Sequence, residues 1–147
     1  MHVSGNWLMC DDGVIRPSVL GMVRVADDSM LNVTFLLDAG ADRTVFSARF
    51  LQWLQPLRTS QSEQVQLAGV GGQVSSITVD TFVGFVREDG RTVTVRDPFA
   101  VFTEGESAEL SVLGRDVTNN FSVIYDYPNR AVALLAWPHY YEIKKAS

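Results

Sequence analysis

The chain has 147 residues, of which 46% are hydrophobic and 20% are charged, so it is long enough to bury a core and has the composition of a globular domain. Its net charge of −5, with 12 scattered Lys and Arg residues, argues against nucleic acid or an anionic membrane surface as the main partner. The single cysteine, Cys10, excludes an internal disulfide, and the two histidines near opposite ends argue against a zinc cluster or a Ser-His-Asp triad.

The sequence contains no targeting or membrane-spanning pattern. Residues 1–13 lack the basic segment and the apolar run of a signal peptide. No apolar stretch approaches the roughly 20 residues that span a bilayer. Because a single cysteine also fits a reducing compartment, we expect a cytoplasmic protein without a membrane partner.

Alternating apolar and polar residues predict a β-hairpin as the first clear element. Residues 20–25 (LGMVRV) and 31–37 (LNVTFLL) flank a polar turn at 26–29, and the second strand ends at Asp38. The second strand is apolar enough to be buried, yet it ends on a carboxylate. Burying an unpaired carboxylate costs several kcal/mol, so such a residue is expected to be paired, protonated or functional.

A short helix is predicted after the β-prone residues 44–46. Ser47 is expected to cap a helix over 48–55 (ARFLQWLQ), and Pro56 is expected to end it. One face of this helix carries Phe50, Leu51 and Leu54.

The longest β-rich stretch runs from Val65 to Val86 and is interrupted by glycines at 69–72. Five of its residues fall on one face by strict alternation: Ile77, Val79, Thr81, Val83 and Phe85. A turn at 88–90 then precedes a strand over 91–95. Asp97-Pro98 is expected to start a separate strand over 99–102.

The last elements are a second short helix and a second hairpin. Asp116 is expected to cap a helix that carries Val117 and Phe121 at spacing i, i+4. The strands of the hairpin are FSVIYD (121–126) and RAVALL (130–135), around a Pro-Asn turn. Many short strands with one or two short helices predict a closed or near-closed all-β domain.

Three motifs occur in order along this pattern: FLLDAGAD (35–42), the glycine-rich AGVGGQV (68–74) and SVLGRD (111–116). Together they resemble the retropepsin-like, single-domain aspartic proteases, in which Asp-Thr/Ser-Gly-Ala precedes a glycine-rich flap and an apolar-apolar-Gly-Arg-Asp/Asn turn. The resemblance divides the chain into an N-terminal extension (1–16), a protease domain (17–136) and a C-terminal tail (137–147).

The resemblance implies a closed, barrel-like fold and an aspartic endopeptidase. Asp38 would be the catalytic carboxylate, and because the chain has one such motif, the second carboxylate would come from another copy in a twofold homodimer. Water would attack a peptide carbonyl between the two Asp38 side chains, beneath a flap formed by Gly69, Val70, Gly71 and Gly72. The partners implied are a second copy and a peptide or protein substrate. No metal or organic cofactor is implied.

Roles for the residues around Asp38 also come from the resemblance. Ala39, Gly40, Ala41 and Asp42 would form the active-site loop. The backbone of Gly40 and the side chain of Asp42 would contact substrate, and glycine suits a tight turn close to a ligand. Asp42 and Arg115 would form an ion pair that holds the loop and the dimer edge.

Ala39 departs from the pattern, since the family has Thr or Ser at this position. That hydroxyl bonds across the dimer to the partner loop, and losing two such bonds would cost on the order of 2 kcal/mol. Three alternatives follow: an active enzyme whose dimer is stabilised elsewhere, a non-catalytic binding or dimerisation module, or an introduced substitution. A more distant alternative is an unrelated small-molecule-binding β-barrel, in which Asp38 would be an isolated carboxylate.

Overall fold

The computed structural model describes residues 1–59, 65–69, 72–105 and 110–146. In these ranges β-strands predominate, and the α-helices are single turns. The strands are β1 (His2–Ser4), β2 (Asn6–Met9), β3 (Ile15–Arg24), β4 (Met30–Leu37), β5 (Val45–Phe46), β6 (Val65–Gly69), β7 (Gly72–Val86), β8 (Thr92–Phe102), β9 (Ser111–Leu113), β10 (Phe121–Asp126) and β11 (Ala131–Ala136). The α-helices are α1 (Leu51–Leu54) and α2 (Arg115–Thr118).

The larger sheet has the strand order β2-β3-β4-β9-β5-β8-β7-β6 and closes on itself. The closing contact is an antiparallel pairing of β3 with β7, where Met22 lies opposite Gly84 and Val23 opposite Val83. Six strands therefore form a ring, and β2 and β6 extend from it. A smaller sheet has the order β1-β11-β10. The predicted all-β fold with short helices is confirmed.

The core lies inside this ring and confirms the predicted alternation. The five residues predicted to share one face of β7 are all buried. Phenylalanine rings from four other segments meet beside them, with the Phe46 ring centroid 5.6 Å from that of Phe35 and 6.0 Å from that of Phe99. Aromatic rings at such distances and steep angles pack favourably, so Phe46 links β4 and β8 through β5.

The first predicted helix is present, but it is made of three short helical turns and ends later than predicted. Residues 48–57 form a 3₁₀ turn, α1 and a second 3₁₀ turn, so the helical turns continue through Pro56 to Leu57. Ser47 occupies the N-terminal boundary, but its side chain makes no capping hydrogen bond. Its backbone N–H instead donates to Ser111 Oγ at 3.0 Å. The Ser47 hydroxyl is buried without a hydrogen-bond partner among the described residues, so the expected side-chain cap is absent.

The expected break at Asp97-Pro98 is wrong, because β8 runs through it without interruption. Pro98 lies opposite Asp80 in the ladder with β7. Two residues later, the Ala100 N–H donates to Thr44 O on the opposite side of β8. By strand periodicity the missing N–H of Pro98 faces that same side, before β5 begins, so no ladder bond is lost.

The second predicted helix is also real but shorter. Gly114, not Asp116, is its N-terminal boundary, and α2 ends at Thr118. Phe121 lies in β10 and not on the helix. Val117 is fully buried, as its predicted core position requires. The Asp116 side chain turns instead toward the loop that follows Asp38.

Both chain ends contact the predicted protease domain. Residues 1–16 include β1, which pairs with β11, and β2, which pairs with β3. Val3 in β1 is part of the buried core. The predicted domain boundaries remain a prediction. Within the described ranges, no helix has the length and apolar character needed to cross a membrane.

Candidate active site

Asp38 lies where β4 leaves the core. Leu37 is buried, whereas Asp38, Ala39 and Gly40 are exposed in the single chain. The Asp38 N–H donates to Leu113 O at 3.2 Å, and its Oδ1 accepts the Gly40 N–H at 2.9 Å. The carboxylate at the end of this apolar strand is therefore exposed to solvent, and the turn that follows the strand orients it.

Gly40 leaves room for the Asp38 carboxylate at this turn. A Cβ at position 40 would lie 3.2 Å from Asp38 Oδ1, which is tighter than most real contacts. Its φ angle is not in the left-handed region. Close approach of the Asp38 carboxylate, not an unusual backbone angle, explains the glycine.

The loop that follows Asp38 is bound to residues 113–116, which join the end of β9 to the start of α2. Arg115 N–H donates to Ala41 O at 2.9 Å, and Asp116 N–H donates to Asp42 O at 3.2 Å. A Cβ on Gly114 would lie 2.4–2.8 Å from the backbone C, O and N of Arg43. Only glycine allows this turn to approach so closely, and the approach makes both backbone bonds possible.

A buried hydroxyl completes this attachment. Thr44 is fully buried, and its Oγ1 donates to Asp116 Oδ1 at 2.6 Å while accepting the Gly114 N–H at 3.0 Å. The Thr44 N–H also lies 3.0 and 2.9 Å from the two carboxylate oxygens of Asp116. Bonds to an ionised acceptor are the stronger kind, so Asp116 and Thr44 anchor the loop. Sequence analysis took Asp116 for a helix cap and gave Thr44 no role.

Arg115 and Asp42 meet as an ion pair at the surface. The guanidinium of Arg115 also donates from Nη1 to Ala39 O at 3.1 Å. The side chains are 47% and 78% exposed, so water screens the charge interaction and its contribution is below about 1 kcal/mol. The contact orients the loop more than it stabilises the fold.

The predicted flap is partly within the described residues. β6 and β7 form an antiparallel hairpin in which Gly69 lies opposite Gly72. Val70 and Gly71, also assigned to the flap, lie outside the described residues. The hairpin is an observation, and its role as a flap stays a prediction.

Sequence analysis missed an aromatic group, which we call the aromatic edge: Trp7, Tyr125 and Tyr127. The Trp7 ring centroid lies 6.4 Å from that of Tyr125 and 5.0 Å from that of Tyr127. Partial burial, and then the charge of Asp38, raise the pKa of the Tyr125 phenol. Three separate segments supply Asp38 and these rings, so no local sequence signal identifies the group.

The described residues contain no cluster of three or more His, Cys, Asp or Glu suited to a metal ion. In the loop after Asp38, the Gly40 N–H and the Arg115 guanidinium donate hydrogen bonds, and the carboxylates of Asp38 and Asp42 accept them. A carboxylate in this setting can accept a proton from water, but a second acid is needed to donate one to a substrate.

The chain resembles known proteins in its fold but not detectably in its sequence. No protein-family model matches the chain, and no curated protein matches it significantly. Among solved structures, it is similar to a retropepsin-like aspartic protease from Rickettsia conorii. The TM-score is 0.52 at 14% sequence identity, over 91% of this chain and 88% of the other. The chain therefore has a retropepsin-like all-β fold.

Proposed function

We propose that the protein is an aspartic endopeptidase that acts as a homodimer, with one Asp38 from each copy. The observation that carries the proposal is the Asp38 carboxylate, exposed at the end of a buried strand and oriented by Gly40 within a loop bound to residues 113–116. The retropepsin-like fold supports the same reading. A single exposed carboxylate is half of the acid–base pair that peptide hydrolysis requires.

In the proposed mechanism, the two Asp38 carboxyl groups share one proton because close like charges do not both ionise easily. The ionised group takes a proton from water as the water attacks the peptide carbonyl. The protonated group gives its proton to the carbonyl oxygen. The rate should therefore follow a bell-shaped pH profile with its optimum on the acid side.

The substrate would be an extended peptide held between the loop and the β6–β7 hairpin. Extended peptides bind through backbone hydrogen bonds, while alternate side chains enter pockets. The Gly40 backbone and Asp42 face solvent beside Asp38, as substrate contact requires. Asp42 is held in place there by Arg115.

The alternative function is a non-catalytic binding or dimerisation module, and one observation favours it. Ala39 is exposed and carries no hydroxyl, while its carbonyl is already bound by Arg115. It therefore lacks the side-chain bond that Thr or Ser at this position would offer a second copy. The two functions share the fold. They differ in whether the Asp38 carboxylates of two copies lie close enough to act together.

Cleavage of a diverse peptide mixture in mildly acidic buffer, read by mass spectrometry, tests both. The intact chain is compared with Asp38→Asn, which removes the charge but keeps the shape, and with Ala39→Thr. We expect cleavage by the intact chain, none by Asp38→Asn, and faster cleavage by Ala39→Thr. Cleavage that persists in Asp38→Asn would refute the mechanism, and no cleavage by any folded variant would favour the module.

A further inference from the structure

Two pockets meet on the outer face of the larger sheet, and we call them the Arg49 pocket and the Gly84 pocket. The Arg49 pocket has a volume of about 180 Å³, and the described residues that line it include Asn32, Thr34, Arg49, Phe50 and Leu110. The Gly84 pocket has a volume of about 310 Å³, and its lining includes Val3, Met22, Gly84 and Val86. Leu20 and Asn32 line both pockets, so the two adjoin along one cleft, which we call the β3 cleft.

The β3 cleft follows from the alternation and the register of β3. Val23 is buried in the core, so Met22 before it points to the outer face of the sheet. Met22 lies opposite Asn32 of β4 on one side and opposite Gly84 of β7 on the other. This row across three strands ends in a glycine, and the missing side chain leaves the backbone of β7 as the floor of the cleft.

One end of the cleft is apolar and exposed in the single chain. Leu20 and Val86 are 57% and 52% exposed, although both side chains are aliphatic. The antiparallel register that places Met22 opposite Gly84 directs Leu20 toward Val86, two residues further along each strand. An aliphatic ligand lying along this row would remove the exposed apolar area from water, which is favourable.

The other end of the cleft is polar and carries one positive charge. Arg49 is the only charged residue among the described residues that line the two pockets. Its guanidinium carbon lies 5.0 Å from the centroid of the Phe50 ring, and within the described ranges no Asp or Glu pairs with it. The side chains of Asn32 and Thr34 likewise make no hydrogen bond to another described residue. In a chain with a net charge of −5, an arginine without a carboxylate is free to bind one from a ligand.

We propose that the β3 cleft binds a medium-chain alkyl carboxylate, with the carboxylate on Arg49 and the alkyl chain across Leu20 toward Val86. From β4 through β3 to β7 the cleft crosses two strand spacings, roughly 10 Å, which suits a chain of about eight carbons. Both pockets are at or below the lower end of the range of about 300–1,000 Å³ for drug-sized ligands, which favours a slender ligand over a nucleotide.

The β3 cleft is separate from the proposed peptide site. Thr34 precedes Asp38 by four residues on the same strand, a separation of roughly 13 Å in extended chain. The loop that follows Asp38 supplies none of the described residues that line either pocket. Binding in the cleft therefore does not depend on the proposed protease activity.

Titration of the full chain with acetate, butanoate, hexanoate and octanoate, followed by NMR shifts of the backbone amides, tests the proposal. We expect saturable shifts at residues 20–22, 32–34 and 84–86. Affinity should rise roughly two- to fourfold for each added CH₂ group, because each one buries more apolar area. Octanamide has the same chain without the charge and should bind about tenfold more weakly than octanoate.

Three substitutions separate the two ends of the cleft. Arg49→Gln should weaken octanoate binding about tenfold, whereas Arg96→Gln removes the same charge from an exposed side chain on β8 and should leave it unchanged. Val86→Asn should reduce the gain from added CH₂ groups and leave acetate binding unchanged. Asp38→Asn should bind octanoate like the unsubstituted chain, whether or not the chain cleaves peptides.

Each contrary outcome has a separate meaning. Shifts that do not saturate, or equal affinities for octanoate and octanamide, would overturn the site. Equal weakening by Arg49→Gln and Arg96→Gln would show a response to net charge and refute a carboxylate contact at Arg49. An unaltered dependence on chain length in Val86→Asn would refute the path of the alkyl chain. Loss of octanoate binding in Asp38→Asn would refute a site separate from the active-site loop.

Discussion

The two flanks of Asp38 are built in different ways. On one flank, the loop from Asp38 to Thr44 is hydrogen-bonded to residues 113–116 by backbone, hydroxyl and carboxylate groups. On the other flank, Tyr125 and the rest of β10 leave a strand edge and half-exposed aromatic surface. The loop after Asp38 is therefore fixed by bonds within the chain, whereas the β10 side is exposed in the single chain.

This difference separates two kinds of substitution. Changes at Thr44 and Gly114 on the hydrogen-bonded flank should lower the free energy of unfolding of a single chain, because both residues are buried and paired within the chain. Changes on the β10 flank should leave the free energy of unfolding of a single chain nearly unchanged, because Ile124 and Tyr125 there are exposed. The predictions below test the first half of that division, from the largest effect to the smallest.

Gly114→Ala should have the largest effect on stability. The new methyl group would lie 2.4–2.8 Å from the backbone of Arg43, and a backbone cannot rotate away as a side chain can. We expect a loss of about 3 kcal/mol in the free energy of unfolding, measured by urea denaturation.

Gly40→Ala is the matched control for Gly114→Ala. Its methyl group would meet only the movable carboxylate of Asp38, at 3.2 Å. It should cost less than about 1 kcal/mol while disturbing the orientation of Asp38. Equal losses for the two variants would show that residues 113–116 do not hold the loop as tightly as the geometry indicates.

Thr44→Val should have the next largest effect. Valine keeps the shape but removes the hydroxyl that donates to Asp116 and accepts from Gly114. Leaving a buried N–H and part of a carboxylate unpaired should cost about 2 kcal/mol in urea denaturation. Thr44→Ser keeps the hydroxyl and should recover at least half of that loss. If serine were no better than valine, the hydroxyl network would not be the anchor.

Much of this arrangement follows from sequence, and the exceptions have physical causes. Asp38 and the alternating face of β7 were predicted because a strand has a local period of two. Ser47 occupies the predicted boundary but its hydroxyl caps nothing, and the carboxylate of Asp116 binds Thr44, a partner distant in sequence, instead of capping α2. A local rule does not include such a competitor.

The aromatic edge shows the same limit more clearly. Trp7 and Tyr125 are 118 positions apart in the sequence. Trp7 lies in β2, which pairs with β3, and Tyr125 lies in β10, which follows α2, so the two rings meet only in the folded chain. Neither residue has a motif around it. Pairing between distant strands, not local pattern, brings the two rings together, so only the topology identifies this group.

The smallest predicted effect is a change in the pKa of Asp12, which lies in the turn after β2, the strand that contains Trp7. Arg16, at the start of β3, donates from both terminal nitrogens to Asp12 in the preceding turn, at 2.9 and 2.7 Å. This hydrogen bonding, with a further bond from the Val14 N–H, lowers the pKa of Asp12 from 3.8 to about 2. The folded pKa is depressed, so the pair contributes fully above the ordinary value and is lost as pH falls through about 2. The segment should stay intact throughout the mildly acidic range in which the proposed protease works.

An NMR titration of the Asp12 carboxyl checks this directly. We expect a midpoint near pH 2 in the unsubstituted chain. In Arg16→Gln the midpoint should move up toward 3.8 but stay below it, because the Val14 N–H still donates to the carboxylate. Arg96→Gln, whose guanidinium pairs with Asp80, should leave the midpoint unchanged. An ordinary midpoint in the unsubstituted chain would mean that Arg16 is free in solution, and it would remove the pair as a fixed support of the segment that bears Trp7.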